Sequence, residues 1–232
     1  MEIKVVQNVL EKNKRVADLV RKKLEEKKWS LFNFMSSPGS GKTSLLEKLI
    51  PELTNENFKV GVIEGDVATL NDSIRLQKLD IPISHITTEK FGGSCHLAAN
   101  VILEALGLLE ESEINSVFIE NVGNLICPAE YDTGADKNIC LISTTEGEDK
   151  PLKYPGMFRK SHLAIINKID IAEVLETDIS LLKNNILQIN PEIDLILTSA
   201  KTGEGVSELK EWIIKQHGTS PQTGNSRSGH TQ

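Results

Sequence analysis

Across 232 residues the chain carries 26 Lys/Arg and 33 Asp/Glu, a formal net charge of −7, with 39% hydrophobic residues and three cysteines. These are the proportions of an ordinary soluble globular domain, so disorder over the whole chain is excluded, and the acidic balance argues against a general nucleic-acid binder, which needs a basic face for phosphates. Cys95, Cys127 and Cys140 are too few and too widely spaced for a disulfide scaffold, and no apolar run approaches the ~20 residues of a membrane span.

Residues 1–29 read as an N-terminal amphipathic helix. Val6, Val9, Leu10, Val16, Leu19, Val20 and Leu24 recur at helical spacing with basic residues between them. Residues 1–30 hold nine Lys/Arg against five Asp/Glu, a net of +4 that leaves −11 for the remainder. Alternating charges, with no signal-peptide core, point to a cytoplasmic protein without a membrane or nucleic-acid partner.

From residue 30 to 216 the chain alternates short apolar strands with helical stretches. Strands are expected at 31–36, 59–64, 83–87, 116–120, 139–143, 163–167 and 195–198. Helices are expected at 42–54, 71–79, 95–111, 172–188 and 206–216. The pattern predicts one α/β domain, a doubly wound and mostly parallel sheet with helices on both faces. Residues 217–232 lack aliphatic and aromatic side chains and are expected to form a disordered tail, so His217 and His230 carry no functional weight.

The most specific local signal is SSPGSGKTS, residues 36–44, between an apolar strand and a helical run. It matches a phosphate-binding loop except that Ser36 stands where the first glycine is usual. Gly39 and Gly41 let the backbone approach phosphate, and Ser40 and Ser44 complete the loop. Lys42 would meet the β and γ oxygens, and the Thr43 hydroxyl would ligate Mg²⁺.

Asn167-Lys168-Ile169-Asp170 follows the sixth strand and Ser199-Ala200-Lys201 the seventh. A carboxylate such as Asp170 can accept from N1–H and the exocyclic amine of guanine, a donor pair that adenine lacks. Asn167 would tie this loop to the phosphate loop, the Lys168 and Lys201 stems would cover the base, and the Ala200 N–H would reach guanine O6. GTP is therefore expected over ATP. Between these motifs, Asp66 ends the second strand, and Glu120 and Gly123 form a switch after the fourth. Asp66 and Glu120 are expected to join Thr43 around magnesium, with Lys42 stabilising transferred charge and Gly123 sensing the γ-phosphate.

Cys95 and His96 precede a helix, and Cys127 lies four residues beyond Gly123. Thiolate and imidazole suit zinc or nickel. Three ligands leave a tetrahedral site one short, which suggests closure across a symmetric dimer. Each cysteine taken singly is more often a small buried side chain than a ligand, and His96 also reads as a packing or capping residue. Cys140, inside a strand, reads as core, as do His85 and His162.

With SSPGSGKT, GDVATLND, FGGSCH (91–96), IENVGNLICP (119–128) and NKID in place, the sequence resembles the HypB family, GTPases that assist nickel insertion during maturation of nickel–iron hydrogenase. The resemblance spans about residues 30–216. It implies a P-loop GTPase of the dimerising signal-recognition/MinD-like class, with slow Mg²⁺-dependent hydrolysis of GTP to GDP and GTP-promoted homodimerisation. It also implies zinc or nickel on Cys95, His96 and Cys127. The implied partners are a hydrogenase accessory nickel/zinc protein and the hydrogenase large-subunit precursor. Residues 1–30 contain neither Cys nor His, so no second nickel site is expected there. An added cation at the γ-phosphate would come from Lys150, Lys153 or Arg159. Two readings compete with metal delivery: a GTPase whose Cys and His are only structural, and a metal-bridged dimerisation module that does not hydrolyse nucleotide.

Overall fold

The computed structural model describes residues 2–66, 71–87 and 96–218. Cys95, the side chain of Asp66 and the tail from 219 onward lie outside the described residues. The elements run α1 (Glu2–Lys27), β1 (Ser30–Ser36), α2 (Lys42–Thr54), β2 (Val60–Asp66), α3 (Asn71–Gln77), β3 (Ile83–Thr87), α4 (Ala99–Leu108) and β4 (Ser116–Glu120). They continue α5 (Cys127–Glu130), β5 (Lys137–Ser143), α6 (Lys150–Lys153), α7 (Pro155–Lys160), β6 (Leu163–Asn167), α8 (Ile179–Ile189), β7 (Asp194–Leu197) and α9 (Val206–Gln216).

The seven strands form one sheet in the order β3-β2-β4-β1-β5-β6-β7, and every described pairing is parallel. Alternate residues of each strand enter different cores, as the two-residue period of a strand requires. Phe32, Phe34, Phe118, Ile139, Leu141, Leu163 and Ile165 pack on the face covered by α2 and α9. Leu31, Val117 and Ile119 face α1 and α4. Cys140, Ile142, Ala164 and Ile166 meet α7 and α8. Because both faces are covered, the strands read as nearly continuous apolar runs, which made them visible in the sequence. Chain direction across the sheet reverses at β1. The carboxyl ends of β1, β2, β4 and β6 therefore open a crevice there, the usual ligand position of such sheets.

Several boundaries differ from expectation. In α1, Ala17, Val20 and Leu24 are buried, whereas Val9, Leu10 and Leu19 are exposed. The stripe is thus narrower than the apolar residues alone suggested. α4 starts at Ala99 instead of 95. α8 starts at Ile179 instead of 172, because Glu176 has a left-handed φ of 54° and Asp178 caps the helix by accepting from the Leu181 N–H at 2.9 Å. The short helices α5, α6 and α7 open on prolines and are too brief to create periodicity. His217 and Gly218, which the sequence reading assigns to the tail, are among the described residues. The His217 ring lies 4.7 Å from the Phe58 ring at a tilt of 60°, and the Gly218 N–H donates to Ser30 Oγ at 3.0 Å. An imidazole with an aromatic neighbour can be ordered without any aliphatic contact.

Candidate nucleotide and metal site

The loop between β1 and α2 turns through two glycines with left-handed φ, 75° at Gly39 and 94° at Gly41. A Cβ on Gly41 would lie 2.6 Å from Asn167 Nδ2, so this position needs glycine for both conformation and space. The loop walls a cavity of about 630 Å³ that also touches Glu64, Asp72, Arg75, Glu120 and Gly123. Lys42 and Thr43 begin α2, where its N–H groups and dipole favour an anion.

Thr43 Oγ1 donates to Glu120 Oε1 at 2.5 Å, and Lys42 Nζ lies 3.5 Å from the same oxygen. Glu120 is 2% exposed and its Oε2 has no hydrogen-bond partner among the described residues. Burial pushes its carboxyl pKa up, against the pull of Lys42. A buried carboxylate oxygen left over beside a threonine hydroxyl fits a hard divalent cation, which would restore the missing partner. Glu64 is the direct register neighbour of Glu120 and is equally buried. It is held by Ser73 Oγ at 2.6 Å and by His85 Nδ1. Burial raises its pKa as well.

Sequence reasoning missed two supports of this cavity. Glu146, on the turn after β5, accepts from Ser40 Oγ at 2.8 Å, from Ser37 Oγ, and from the Ser143 N–H at 2.9 Å. It braces the phosphate loop from behind. Arg75 donates to Ser44 Oγ at 2.9 Å and pairs with Glu47 at 2.6 Å, placing a cation at the cavity wall. Neither belongs to a motif; the only hint was a charged residue close to one. Two cations proposed for the γ-phosphate have partners in their own chain: Lys150 lies 3.5 Å from Glu146, and Lys153 lies 2.5 Å from Asp149.

A second cavity of about 530 Å³ adjoins the first, sharing Gly41, Ser44 and Lys168. Asn167 Nδ2 donates to the Ser40 carbonyl at 2.8 Å, so the loop after β6 is tied to the phosphate loop. Lys168 takes a left-handed φ of 63° and donates through Nζ to the Gly39 carbonyl at 2.7 Å. Asp170, Ala200 and Lys201 line the cavity, and Ser199 Oγ holds Asp170 Oδ1 at 2.6 Å. One expectation changes. The Ala200 N–H donates to Asn167 Oδ1 at 3.1 Å, so it is already engaged and not a free donor for guanine O6.

The segment after β4 lies against the phosphate loop: a Cβ on Gly123 would stand 3.1 Å from Pro38 Cα. Before it, the buried Asn121 side chain accepts from the Val122 N–H at 2.9 Å and from the Leu97 N–H at 3.3 Å. It also donates to Asn33 Oδ1 at 3.0 Å. Leu97 follows His96, whose ring stacks on Tyr131 with centroids 3.6 Å apart and planes at 22°. Tyr131 follows α5, which begins at Cys127. His96 and the Cys127 turn therefore occupy one neighbourhood. Burial lowers the His96 pKa, favouring the neutral imidazole that metals require. Among the described residues no group of three metal-capable side chains is assembled, and Cys95 lies outside them. Cys140 is fully buried, and burial pushes its thiol pKa far up, as core placement predicts.

Comparison with known proteins follows the same residues. The family model described as CobW/HypB/UreG, nucleotide-binding domain, matches residues 31–197. The chain is 42% identical over 217 residues to the hydrogenase maturation factor HypB of Azotobacter vinelandii, covering 94% of this chain and 70% of that protein. It is 43% identical over 211 residues to the probable hydrogenase maturation factor HypB of Methanocaldococcus jannaschii, covering 91% and 94%. Among solved structures, HypB from Helicobacter pylori in complex with nickel superposes with a TM-score of 0.84 at 37% identity, over 92% of this chain and 99% of that one.

Proposed function

The chain belongs to the HypB branch of the CobW/HypB/UreG nucleotide-binding family, and on that premise we propose that it is a GTP-hydrolysing metallochaperone serving nickel–iron hydrogenase maturation. The observation that carries the coupling is the Asn121 side chain. It sits between Glu120 and Gly123 in the chain, and its carbonyl oxygen holds the N–H that follows His96. Both ends of the metal neighbourhood thus hang from the γ-phosphate switch, one through Asn121 and the other through the connection from Gly123 to Cys127.

GTP lies with its phosphates over Gly39–Ser44 and its base in the adjoining cavity against Asp170, between the stems of Lys168 and Lys201. Thr43 and Glu120, with Asp66, would hold magnesium, which would supply neutralisation of phosphate charge. Lys42 and the loop N–H groups stabilise the charge that spreads over the transferring phosphoryl group as water attacks in line. Asp66 or Asp72 orients that water. Turnover is slow, because a switch must persist in its GTP state long enough to act.

Nickel is cargo, taken by Cys95, His96 and Cys127 and shared across a GTP-promoted homodimer. Zinc competes for the same ligands, since donor softness does not separate the two metals. A hydrogenase accessory nickel/zinc protein and the large-subunit precursor are the expected partners, in the cytoplasm. Loss of γ-phosphate contacts at Gly123 shifts Cys127 relative to His96 and loosens the metal.

The test is nickel and zinc affinity of the same preparation loaded with a non-hydrolysable GTP analogue and with GDP, with oligomeric state followed in parallel. Tighter binding in the GTP form supports the coupling; equal affinities rule it out. A reading in which His96 is only structural draws on its stack with Tyr131. It requires Cys127→Ala to leave nickel stoichiometry unchanged.

A further inference from the structure

No described side chain of the N-terminal helix lines the two nucleotide cavities, yet the helix makes polar contacts at the two segments that carry His96 and Cys127. Asn13 is half-buried. Its Oδ1 accepts from the Ala99 N–H at 3.0 Å, at the start of α4 and three residues beyond His96. Its Nδ2 donates to the Asp132 carbonyl at 2.8 Å, five residues beyond Cys127. One amide side chain therefore spans two segments whose contact points are separated by more than thirty residues of sequence.

A second side chain repeats the connection. Arg21 binds the Asp132 carboxylate through Nη2 at 2.7 and 2.6 Å, and Asp132 Oδ1 also accepts from the Gly134 N–H at 2.9 Å. The approach is close: a Cβ on Gly134 would lie 2.7 Å from the Ala17 carbonyl oxygen and from Val20. Ala17, Val20 and Leu24 are buried, and Val20 and Leu24 pack with Ile102, Ala105 and Leu106 of α4, so the helix that presents Asn13 is itself seated.

We propose that α1 is a strap in which Asn13, supported by Arg21, fixes the spacing between the His96 and Cys127 segments, so that metal capture and docking of the N-terminal helix are coupled. The inference rests on the metal reading given under Proposed function. Asn13 and Arg21 are positioning residues and touch no metal. The physical reason is preorganisation: ligands on separate segments lose affinity when their spacing fluctuates, and supporting hydrogen bonds hold it. Coupling of this kind is reciprocal, so the metal must stabilise the docked helix by the factor that the strap adds to metal affinity.

The experiment titrates zinc and then nickel into the full chain, using a competing chelator, for the unmodified protein, Asn13→Ala, Asn13→Asp, Lys23→Ala and Cys127→Ala. Amide hydrogen exchange across residues 9–27 is followed with and without zinc. Asn13→Ala is expected to weaken metal binding about tenfold. Asn13→Asp, which keeps the acceptor but sets a carboxylate oxygen against the Asp132 carbonyl, is expected to weaken it similarly and serves if the alanine variant fails to fold. Lys23→Ala severs the Lys23–Glu110 pair, a contact of α1 away from both segments, and leaves metal affinity unchanged. Saturating zinc slows α1 exchange by about tenfold in the unmodified protein and not in the Asn13 variants.

If Cys127→Ala weakens binding while both Asn13 variants retain unmodified affinity, the strap is wrong and the metal reading stands. Exchange in α1 that is indifferent to zinc also overturns the strap. If Cys127→Ala binds as tightly as the unmodified protein, the metal reading itself fails and takes the strap with it.

Discussion

Glu120 shows how one side chain is placed between stability and function. Its carboxylate is almost fully buried, one oxygen satisfied by Thr43 and the other without a described partner. Burying a charge without full pairing costs free energy. Glu120→Gln is therefore expected to raise the thermal midpoint of the magnesium-free protein while lowering GTP turnover by about 10²-fold. A calorimetric scan beside a phosphate-release assay checks both directions, and a variant that lost stability as well as activity would contradict the assignment. Glu146 acts on the loop and not on phosphate. Glu146→Ala leaves the Ser37 and Ser40 hydroxyls without their shared acceptor, and GTP affinity is expected to fall about tenfold, on the scale of one hydrogen bond to a charged group. Equilibrium titration with a fluorescent GTP analogue measures it. Lys42, Thr43, Glu120, Asn167 and Asp170 were legible because each lies in a short motif beside its own strand end. Glu146, Arg75 and Asn13 were not, since what each touches depends on where distant segments cross.

Helices and strands were legible to different extents for a common reason. Strands buried on both faces announce themselves as apolar runs, and α2 and α9 match expectation to the residue. A helix resting on one face announces only that some face is apolar. In α1 the sequence pattern includes both Leu19 and Leu24, but Leu19 is 54% exposed and Leu24 is 3% exposed. Leu24→Ala is expected to cost about 2–4 kcal/mol, through lost burial and the cavity left against α4. Leu19→Ala should stay within about 0.5 kcal/mol of the unmodified protein. Urea denaturation of the two variants decides, and equal costs would mean that α1 is seated differently. Proline-opened turns such as Cys127–Glu130 leave no periodic signal, although this one opens on a candidate ligand.

For the whole molecule, pH reports how histidines are buried. Desolvation lowers the folded pKa of His96, His162 and His217, with Lys137 adding to the shift at His162. Between their ordinary value of about 6.5 and those lower values the unfolded chain binds more protons, so their contribution to stability is present above about pH 6.5 and is lost as pH falls through the folded pKa. Glu64 and Glu120, with raised folded pKa, act in the opposite sense and lose stability as pH rises through theirs. The comparison must therefore be differential. His162→Gln is expected to flatten the fall in unfolding free energy between about pH 6.5 and 5, leaving the carboxyl contribution unchanged. Denaturation midpoints of the two proteins across that range test it, and parallel slopes would exclude His162 as a contributor.

The linear sequence was sufficient for a parallel α/β sheet and for a glycine-containing loop between β1 and α2 that walls a cavity, because each depends on residues a few positions apart in one strand–loop–helix. It was sufficient also to demote Cys140, whose apolar strand neighbours imply its burial. Folding in three dimensions settled which hydroxyls Glu146 receives, which N–H groups Asn121 and Asn13 hold, and that Ala200 is already engaged. Apart from the adjacent Val122 N–H on Asn121, those contacts join segments 24 to 109 residues apart. Their geometry follows from strand order and helix seating, and no local spacing of residue types encodes it.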